Sequence, residues 1–296
     1  MAFTLAEKMR TILLLSLVLL SSCKTYDLND QKMSMLSSNV TLIDRELESV
    51  RLGEKTQLSP RAYLRKFNAI TIGGHTKPPR PTIAPDGNGG FHVTVETESA
   101  LEWGSAALVS EDGYFLTANH VVDEKKVWIV FVEEIVDIPN QKTIERFSIS
   151  SVRTVFSNKK ADFAIIKAPF KGPKECLDLR EEPINKRETI FSGGRLNETG
   201  AGYYDLSFIY GKKIYDGYEF HETPSTIPTL PGDSGSAAID NKGRIFGIHT
   251  GSSARRSIFV MLNPKETIKI IEKDRIDNKS ADIKDDTSIW EVSKKL

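Results

Sequence analysis

Pro231-Gly232-Asp233-Ser234-Gly235-Ser236 sets a serine inside a tight turn between two glycines. Glycine adopts backbone angles that a Cβ obstructs, so such a turn can aim successive N–H groups at one point. Upstream, Thr117-Ala118-Asn119-His120-Val121-Val122 carries a histidine just after a strand-like run. Between them, Ala161-Asp162-Phe163-Ala164-Ile165-Ile166-Lys167 has an aspartate opening an apolar segment. The order is His, Asp, Ser, with separations of 42 and 72 residues.

One kind of chemistry needs these three groups together. A serine hydroxyl is a weak nucleophile at neutral pH, and a histidine within hydrogen-bond reach takes its proton during attack and passes it to the leaving group. A carboxylate behind the imidazole fixes its tautomer and stabilises the imidazolium. Backbone N–H groups must face the oxygen that gains charge, and Gly232 and Ser234 are placed to supply them. Each residue alone has a plainer reading, as a turn serine, a structural histidine or a turn aspartate; the order and strand context carry the combined one. Asp123 and Asp137 are rival partners for His120. Asp162 is preferred because its apolar successors would bury it.

On three blocks the chain resembles the trypsin-like, chymotrypsin-fold serine proteases of the bacterial kind without internal disulfides. They are Gly104-Ser105-Ala106-Ala107 leading to Thr117-Ala118-Asn119-His120, then Asp162-Phe163-Ala164-Ile165-Ile166, then Gly232-Asp233-Ser234-Gly235-Ser236. The resemblance covers about residues 88–272. It implies His120 as general base, Asp162 as its orienter, Ser234 as nucleophile, and an oxyanion hole at the N–H groups of Gly232 and Ser234. It also implies an all-β fold of two six-stranded antiparallel barrels, with the triad in the cleft between them, and a short C-terminal helix docked on the second barrel.

The strand pattern agrees. Short runs between turn signals read as strands: Phe91–Thr97, Glu102–Val109, Tyr114–Thr117, Val127–Val132, Phe147–Val155 and Asp162–Lys167 for a first barrel. Thr189–Ser192, Tyr203–Tyr210, Lys213–His221, Ser236–Asp240, Arg244–His249 and Ser257–Leu262 form the second. Glu111-Asp112-Gly113 and Asn241-Lys242-Gly243 read as hairpin turns. Asn263, Pro264 and Glu266 make a capped helix start, and the pattern runs to about Lys273. The protease domain is placed at residues 88–275 and a flexible, charged tail at 276–296.

The N-terminus reads as a targeting segment. Lys8 and Arg10 precede an apolar run from Ile12 to Leu20, broken by Ser16, and Leu20-Ser21-Ser22-Cys23 follows. The run is too short to span a bilayer and suits a signal-peptide core, here residues 1–22. The ending resembles the bacterial lipoprotein cleavage box, which implies a lipid-modified Cys23 and a membrane-anchored protein of the cell envelope. Residues 23–87 read as a tether, with a short amphipathic stretch at Leu42–Val50 and a linker containing Pro78, Pro79, Pro81 and Pro85. The other cysteine, Cys176, then has no partner, and no disulfide staples the domain.

Composition narrows the partners. The chain has 296 residues, 40 basic and 40 acidic, for a formal net charge of zero. Nothing in that balance favours nucleic acid. No histidine–cysteine cluster calls for a metal, and no cofactor is expected. The partner is a protein or peptide substrate. For its recognition, Gly247-Ile248-His249-Thr250-Gly251 falls on the strand that lines the specificity pocket in this fold. His249, fifteen residues after Ser234, and Thr229, five before it, match the positions that bind the substrate carboxylate in glutamyl endopeptidases; Gly251 lines the same wall. An imidazole and a hydroxyl make a reasonable carboxylate site. The chain departs from those enzymes in having Ser236-Ala237 after the nucleophile turn and Thr250-Gly251-Ser252 in the wall. Two other readings remain: an inactive protease-fold binding protein, and a quality-control protease of the envelope heat-shock type. Only about two dozen residues follow the last helix, too few for the added peptide-binding domain of the latter.

Overall fold

The computed structural model describes residues 60–73, 80–85, 91–96, 102–123, 126–138, 142–169, 175–184, 188–193, 202–205, 211–215, 217–224, 232–253, 256–278 and 288–295. Cys23, Thr229 and the amphipathic stretch at Leu42–Val50 lie outside the described residues.

A short helix α1 (Pro60–Phe67) leads straight into β1 (Asn68–Gly73). A small hairpin, β2 (Arg80–Pro85) and β3 (Phe91–Glu96), pairs only with itself. The first main sheet then takes β4 (Glu102–Leu108), β5 (Tyr114–Thr117), a helical turn α2 (Asn119–Val122), β6 (Val127–Ile138), β7 (Lys142–Ser151), β8 (Arg153–Asn158) and β9 (Phe163–Lys167). The second takes β10 (Thr189–Ser192), β11 (Gly202–Asp205), β12 (Gly211–Tyr215), β13 (Tyr218–Pro224), β14 (Ala237–Asp240), β15 (Ile245–Ser253) and β16 (Arg256–Met261). Helix α3 (Pro264–Asp277) and β17 (Ser288–Lys295) finish the chain. The sheet orders are β17-β7-β6-β1-β4-β5-β9-β8 and β11-β10-β14-β15-β16-β13-β12, with antiparallel pairing throughout.

The all-β, two-sheet architecture matches the expectation, with eight and seven strands where six and six were expected. The differences have local causes. Phe91–Glu96 is claimed by Arg80–Pro85, and its place in the first sheet is filled by β1, which pairs with both β4 and β6. The run Phe147–Val155 breaks at Val152, whose N–H turns to the Val127 carbonyl at 3.0 Å. Lys213–His221 is a hairpin, because Gly217 at φ +82° turns β12 back onto β13. The span read as a flexible tail contains β17, in register with β7 from Ser288 opposite Ile149 to Lys295 opposite Lys142. The sheet therefore starts well before Asn88, inside the span read as linker.

The first sheet packs around Leu108, Phe115, Val121, Ile129, Phe131 and Ile166. The second packs around Ile190, Ala238, Phe246 and Phe259. Cys176 packs half-buried against the first of these cores, and burial pushes its thiol up to about 11. It is a packing residue, not a nucleophile.

Helix α3 starts as its sequence foretells, with Asn263 Oδ1 accepting the Glu266 N–H at 3.2 Å. It runs on to Asp277, and its second half is fastened to the first sheet, not to the second as expected. Asp274 accepts two hydrogen bonds from Arg153 of β8, at 2.8 and 2.6 Å, and one from the Tyr114 hydroxyl of β5 at 2.9 Å. Arg275 grips Asp112 of the β4–β5 turn in the same bidentate way. The Arg153 guanidinium holds the Asp274 carboxyl below its ordinary range, against the pull of partial burial.

The two sheets meet through buried polar contacts. Asn68 of β1 is fully buried; its Nδ2 donates to the Gly193 carbonyl at 2.8 Å and its Oδ1 accepts the Ala237 N–H at 3.2 Å. Both partners belong to the second sheet or its immediate edge, and Ala237 follows Ser234 by three residues. Next to Asp162, the Phe163 ring packs against Tyr218 of β13 at 5.6 Å. Replacing Asn68 by Leu, similar in volume, strands a buried N–H and a buried carbonyl. The expected loss in urea denaturation is about 3 kcal/mol, at ~1–3 kcal/mol for each unsatisfied group. A loss below about 0.5 kcal/mol would mean that the clamp does not hold the sheets.

Candidate active site

His120 stands on α2, directly after β5. The turn is short, and its registration depends on packing. Val121 lies so close to Gly104 that a Cβ there would sit 2.6 Å from Val121 Cγ1. Asn119, buried beside it, accepts a hydrogen bond from Ser157 of β8. The helical turn is thus held on both sides of the imidazole.

Asp162 closes the β8–β9 turn. The Ala161 N–H is held by Asn158 Oδ1 at 2.9 Å, and Asp162 takes φ +44°, the one left-handed non-glycine residue described. From there both carboxylate oxygens reach His120. Oδ1 accepts its backbone N–H at 2.8 Å and Oδ2 meets its Nδ1 at 2.8 Å. A carboxylate at Nδ1 places the ring proton there and leaves Nε2 bare, as a proton acceptor. Asp162 is preferred over its rivals for a concrete reason. Asp123 is engaged by Lys159 Nζ at 2.8 Å, and Asp137 lies far along β6, opposite Thr143. The Asp162 side chain keeps 26% of its exposure and His120 51%, so the pair is less buried than its apolar successors suggested.

Ser234 occupies the turn that precedes β14. The Asp233 carbonyl accepts the Ser236 N–H at 2.9 Å, with Gly232 at φ +100° and Gly235 at φ +89°. Two contacts tie the turn to β15: Gly235 N–H to the His249 carbonyl at 2.7 Å, and His249 N–H to the Ser236 carbonyl at 3.0 Å. Two more tie it to β4 of the first sheet. Ser105 N–H donates to the Ser234 carbonyl at 2.7 Å, and Ser105 Oγ donates to the Gly232 carbonyl at 2.8 Å. Gly235 lets the sheets approach this closely, since a Cβ there would fall 2.0 Å from the Ser105 carbonyl oxygen. Among the described residues the N–H groups of Gly232 and Ser234 have no acceptor.

The roles of Ser105 and Asn68 leave no local signal in the sequence, because each acts on a residue more than a hundred positions away.

His249 lies on β15 behind this turn, 2% exposed and edge-on to Phe259 at 5.5 Å. Neither ring nitrogen has a hydrogen-bond partner. Burial pushes the imidazole down to about 4, with a smaller push from His120; the backbone of Asp233 and Gly251 pulls the other way without completing a hydrogen bond. At neutral pH the ring is uncharged. Gly251 sits where β15 slips register against β16, and a Cβ there would meet nothing within 4 Å.

Residues 104–248 match the family model of the trypsin-like peptidase domain. The match supports a trypsin-like serine protease. Among solved structures, the chain is similar to the HtrA-type protease AlgW with a decapeptide, at 18% identity and a TM-score of 0.46, covering 74% of this chain and 66% of that one. It is also similar to a substituted form of AlgW with a tripeptide, at 17% identity and a TM-score of 0.47, covering 74% and 63%. The match thus spans less than two thirds of the length of either structure. No curated protein matches the chain.

The burial of His249 has a measurable consequence. Its folded pKa lies below the unfolded value near 6.5. Above that pH both states hold a neutral ring, and nothing changes. As pH falls from about 6.5 towards 4, only the unfolded state takes up the proton, and stability is lost. Urea denaturation across that window is expected to show a loss of up to ~3 kcal/mol that His249→Gln does not share. Parallel profiles for the two proteins would place the acid sensitivity elsewhere.

Proposed function

We propose that this protein is a serine endopeptidase in which Ser234 is the nucleophile, His120 the general base and Asp162 its orienter. The observation that carries the reading is the double contact of Asp162 with His120, made on the sheet to which Ser105 also ties the Ser234 turn. In this mechanism Ser234 Oγ attacks the scissile carbonyl carbon as its proton passes to His120 Nε2. The Oγ–C bond forms and the carbonyl oxygen takes the negative charge, facing the N–H groups of Gly232 and Ser234. The C–N bond then breaks, His120 returns the proton to the leaving amine, and an acyl-enzyme remains. Water then attacks: its oxygen bonds to the acyl carbon as its proton passes to His120, the ester C–O bond breaks, and His120 returns the proton to Ser234 Oγ as the carboxylic acid product leaves.

The preferred substrate residue before the scissile bond is acidic in this reading. The support is His249, a buried imidazole with two unsatisfied nitrogens behind the nucleophile turn. A substrate carboxylate would provide the missing partner and raise the affinity of the ring for a proton. Thr229 is the second ligand in this reading, on the resemblance alone. The anchor belongs to the same proposal: the Leu20-Ser21-Ser22-Cys23 ending supports lipid modification at Cys23 and a place on a bacterial envelope membrane.

A fluorophosphonate probe should label purified wild type at Ser234, and neither Ser234→Ala nor His120→Ala. Asp162→Asn, which keeps the shape but favours the wrong tautomer, should lower kcat by ~10⁴. Folded wild type that takes no label would instead favour the inactive binding protein. For specificity, matched peptides with Glu, Gln, Lys or Leu before the bond should be cut best at Glu. Equal or better cleavage at Lys or Leu would end the acidic reading while leaving the mechanism intact.

A further inference from the structure

We infer that Ser105 is a positioning residue whose side-chain hydroxyl sets the oxyanion hole from the opposite sheet. The inference rests on the proposed role of Ser234 and adds a part to its site.

An oxyanion hole works by being in place before charge develops; donors that must reorient lose much of their effect. The obstacle here is glycine. Gly232 supplies one donor, and its φ of +100° lies in territory that glycine enters without cost but does not stay in unaided. Its peptide groups can rotate unless something outside the turn holds them. Ser105 Oγ holds one, by donating to the Gly232 carbonyl at 2.8 Å. With that carbonyl fixed, the Gly232–Asp233 peptide plane is fixed. Ser105 N–H holds the Ser234 carbonyl at 2.7 Å and so fixes the Ser234–Gly235 plane; the Asp233–Ser234 peptide, which carries the Ser234 N–H donor, is bracketed between the two held planes. One residue thus grips the turn on both sides of Asp233.

Ser105 can do this because it is itself immobile. It lies fully buried in the middle of β4, opposite Ile70 of β1. The Thr117 hydroxyl donates to its carbonyl at 2.7 Å, leaving Ser105 Oγ free to act on Gly232 alone. The backbone contact would survive any side chain at position 105. The hydroxyl contact would not, and this separates the two experimentally.

The test compares Ser105→Ala and Ser105→Cys with wild type, each corrected for active-site concentration by titration. Two readouts are used: the acylation rate with p-nitrophenyl acetate, and fluorophosphonate labelling resolved into binding and inactivation constants. A hydroxyl that orients the hole predicts a fall of about tenfold in acylation and inactivation rates for Ser105→Ala, with the binding constant unchanged. This is smaller than the ~10²–10³ that follows outright loss of a donor. Ser105→Cys, similar in size but a weak donor, should fall between the two. It also decides the question if Ser105→Ala does not fold. A purely structural role would lower the melting temperature but leave the rate per titrated site at the wild-type value in both variants, and that result overturns the inference. Wild type that neither acylates nor labels would overturn the serine-nucleophile reading itself, and is distinguishable from both.

Discussion

The candidate site depends on how closely the Ser234 turn approaches β4. A Cβ on Gly235 would overlap the Ser105 carbonyl oxygen and lie 2.3 Å from Thr117 Oγ1, so the two sheets touch here with no side chain between them. The glycine does two things at once: it takes φ +89°, and it vacates the space that Ser105 fills. Thr117 belongs to the strand that ends three residues before His120. The same pair of strands that leads to His120 therefore also receives the Ser234 turn. Distances between these distant segments are set by backbone contact, which has no rotamers to average over.

Buried polar groups mark the places where that contact is specified. Asn68, Ser105 and Thr117 are all fully buried, and each is hydrogen-bonded across a strand or between sheets. A buried polar atom without a partner costs more than a bonded one returns, so these side chains strongly favour one relative placement of the sheets. His249 behaves oppositely. It is as deeply buried, adjoins the same turn and has no partner for either nitrogen. Some hydroxyls are also unbonded, such as those of Ser148 and Ser150. His249 differs in that its backbone holds Gly235 and Ser236 of the Ser234 turn.

The parts of the fold legible in the sequence are those written in local chemistry. The hairpin at Asn241-Lys242-Gly243 is closed by Asp240, whose carboxylate and backbone bond the residues that follow. The cap at Asn263 and the buried run Phe163–Ile166 are of the same kind. Pairings between distant segments were not legible. β1 reads as linker because its neighbours are rich in proline and glycine. β17 reads as tail because Ser288–Lys295 carries Glu291, Lys294 and Lys295, and charge is what an edge strand needs to avoid pairing with other chains. Helix α3 shows the same limit. Its cap is local and was read correctly, while its docking depends on Arg153 and Tyr114, more than a hundred residues upstream. For the triad, order and spacing nominated His120 and Ser234. Among the three aspartates, the apolar run after Asp162 already favoured it, and the structure adds its two contacts with His120 and the engagement of Asp123 by Lys159.

Asp162 illustrates why the decisive geometry sits in an unfavourable conformation. A left-handed residue with a Cβ costs of order 1 kcal/mol, and aspartate tolerates it better than most. Had Asp162 continued the extended conformation of β9, its side chain would alternate with Phe163 across the sheet. The turn instead directs the carboxylate at α2, so that one oxygen meets the backbone of His120 and the other its ring. With the backbone N–H and Nδ1 held by one carboxylate, the imidazole cannot tilt without breaking a bond to the group that orients it. A longer acid reaching from a relaxed backbone could touch Nδ1, but its extra torsion would free the ring to swing. The strain at Asp162 is the local cost of a short, doubly tied lever. It is sustained by the Asn158–Ala161 hydrogen bond and by the burial of Phe163 against Tyr218.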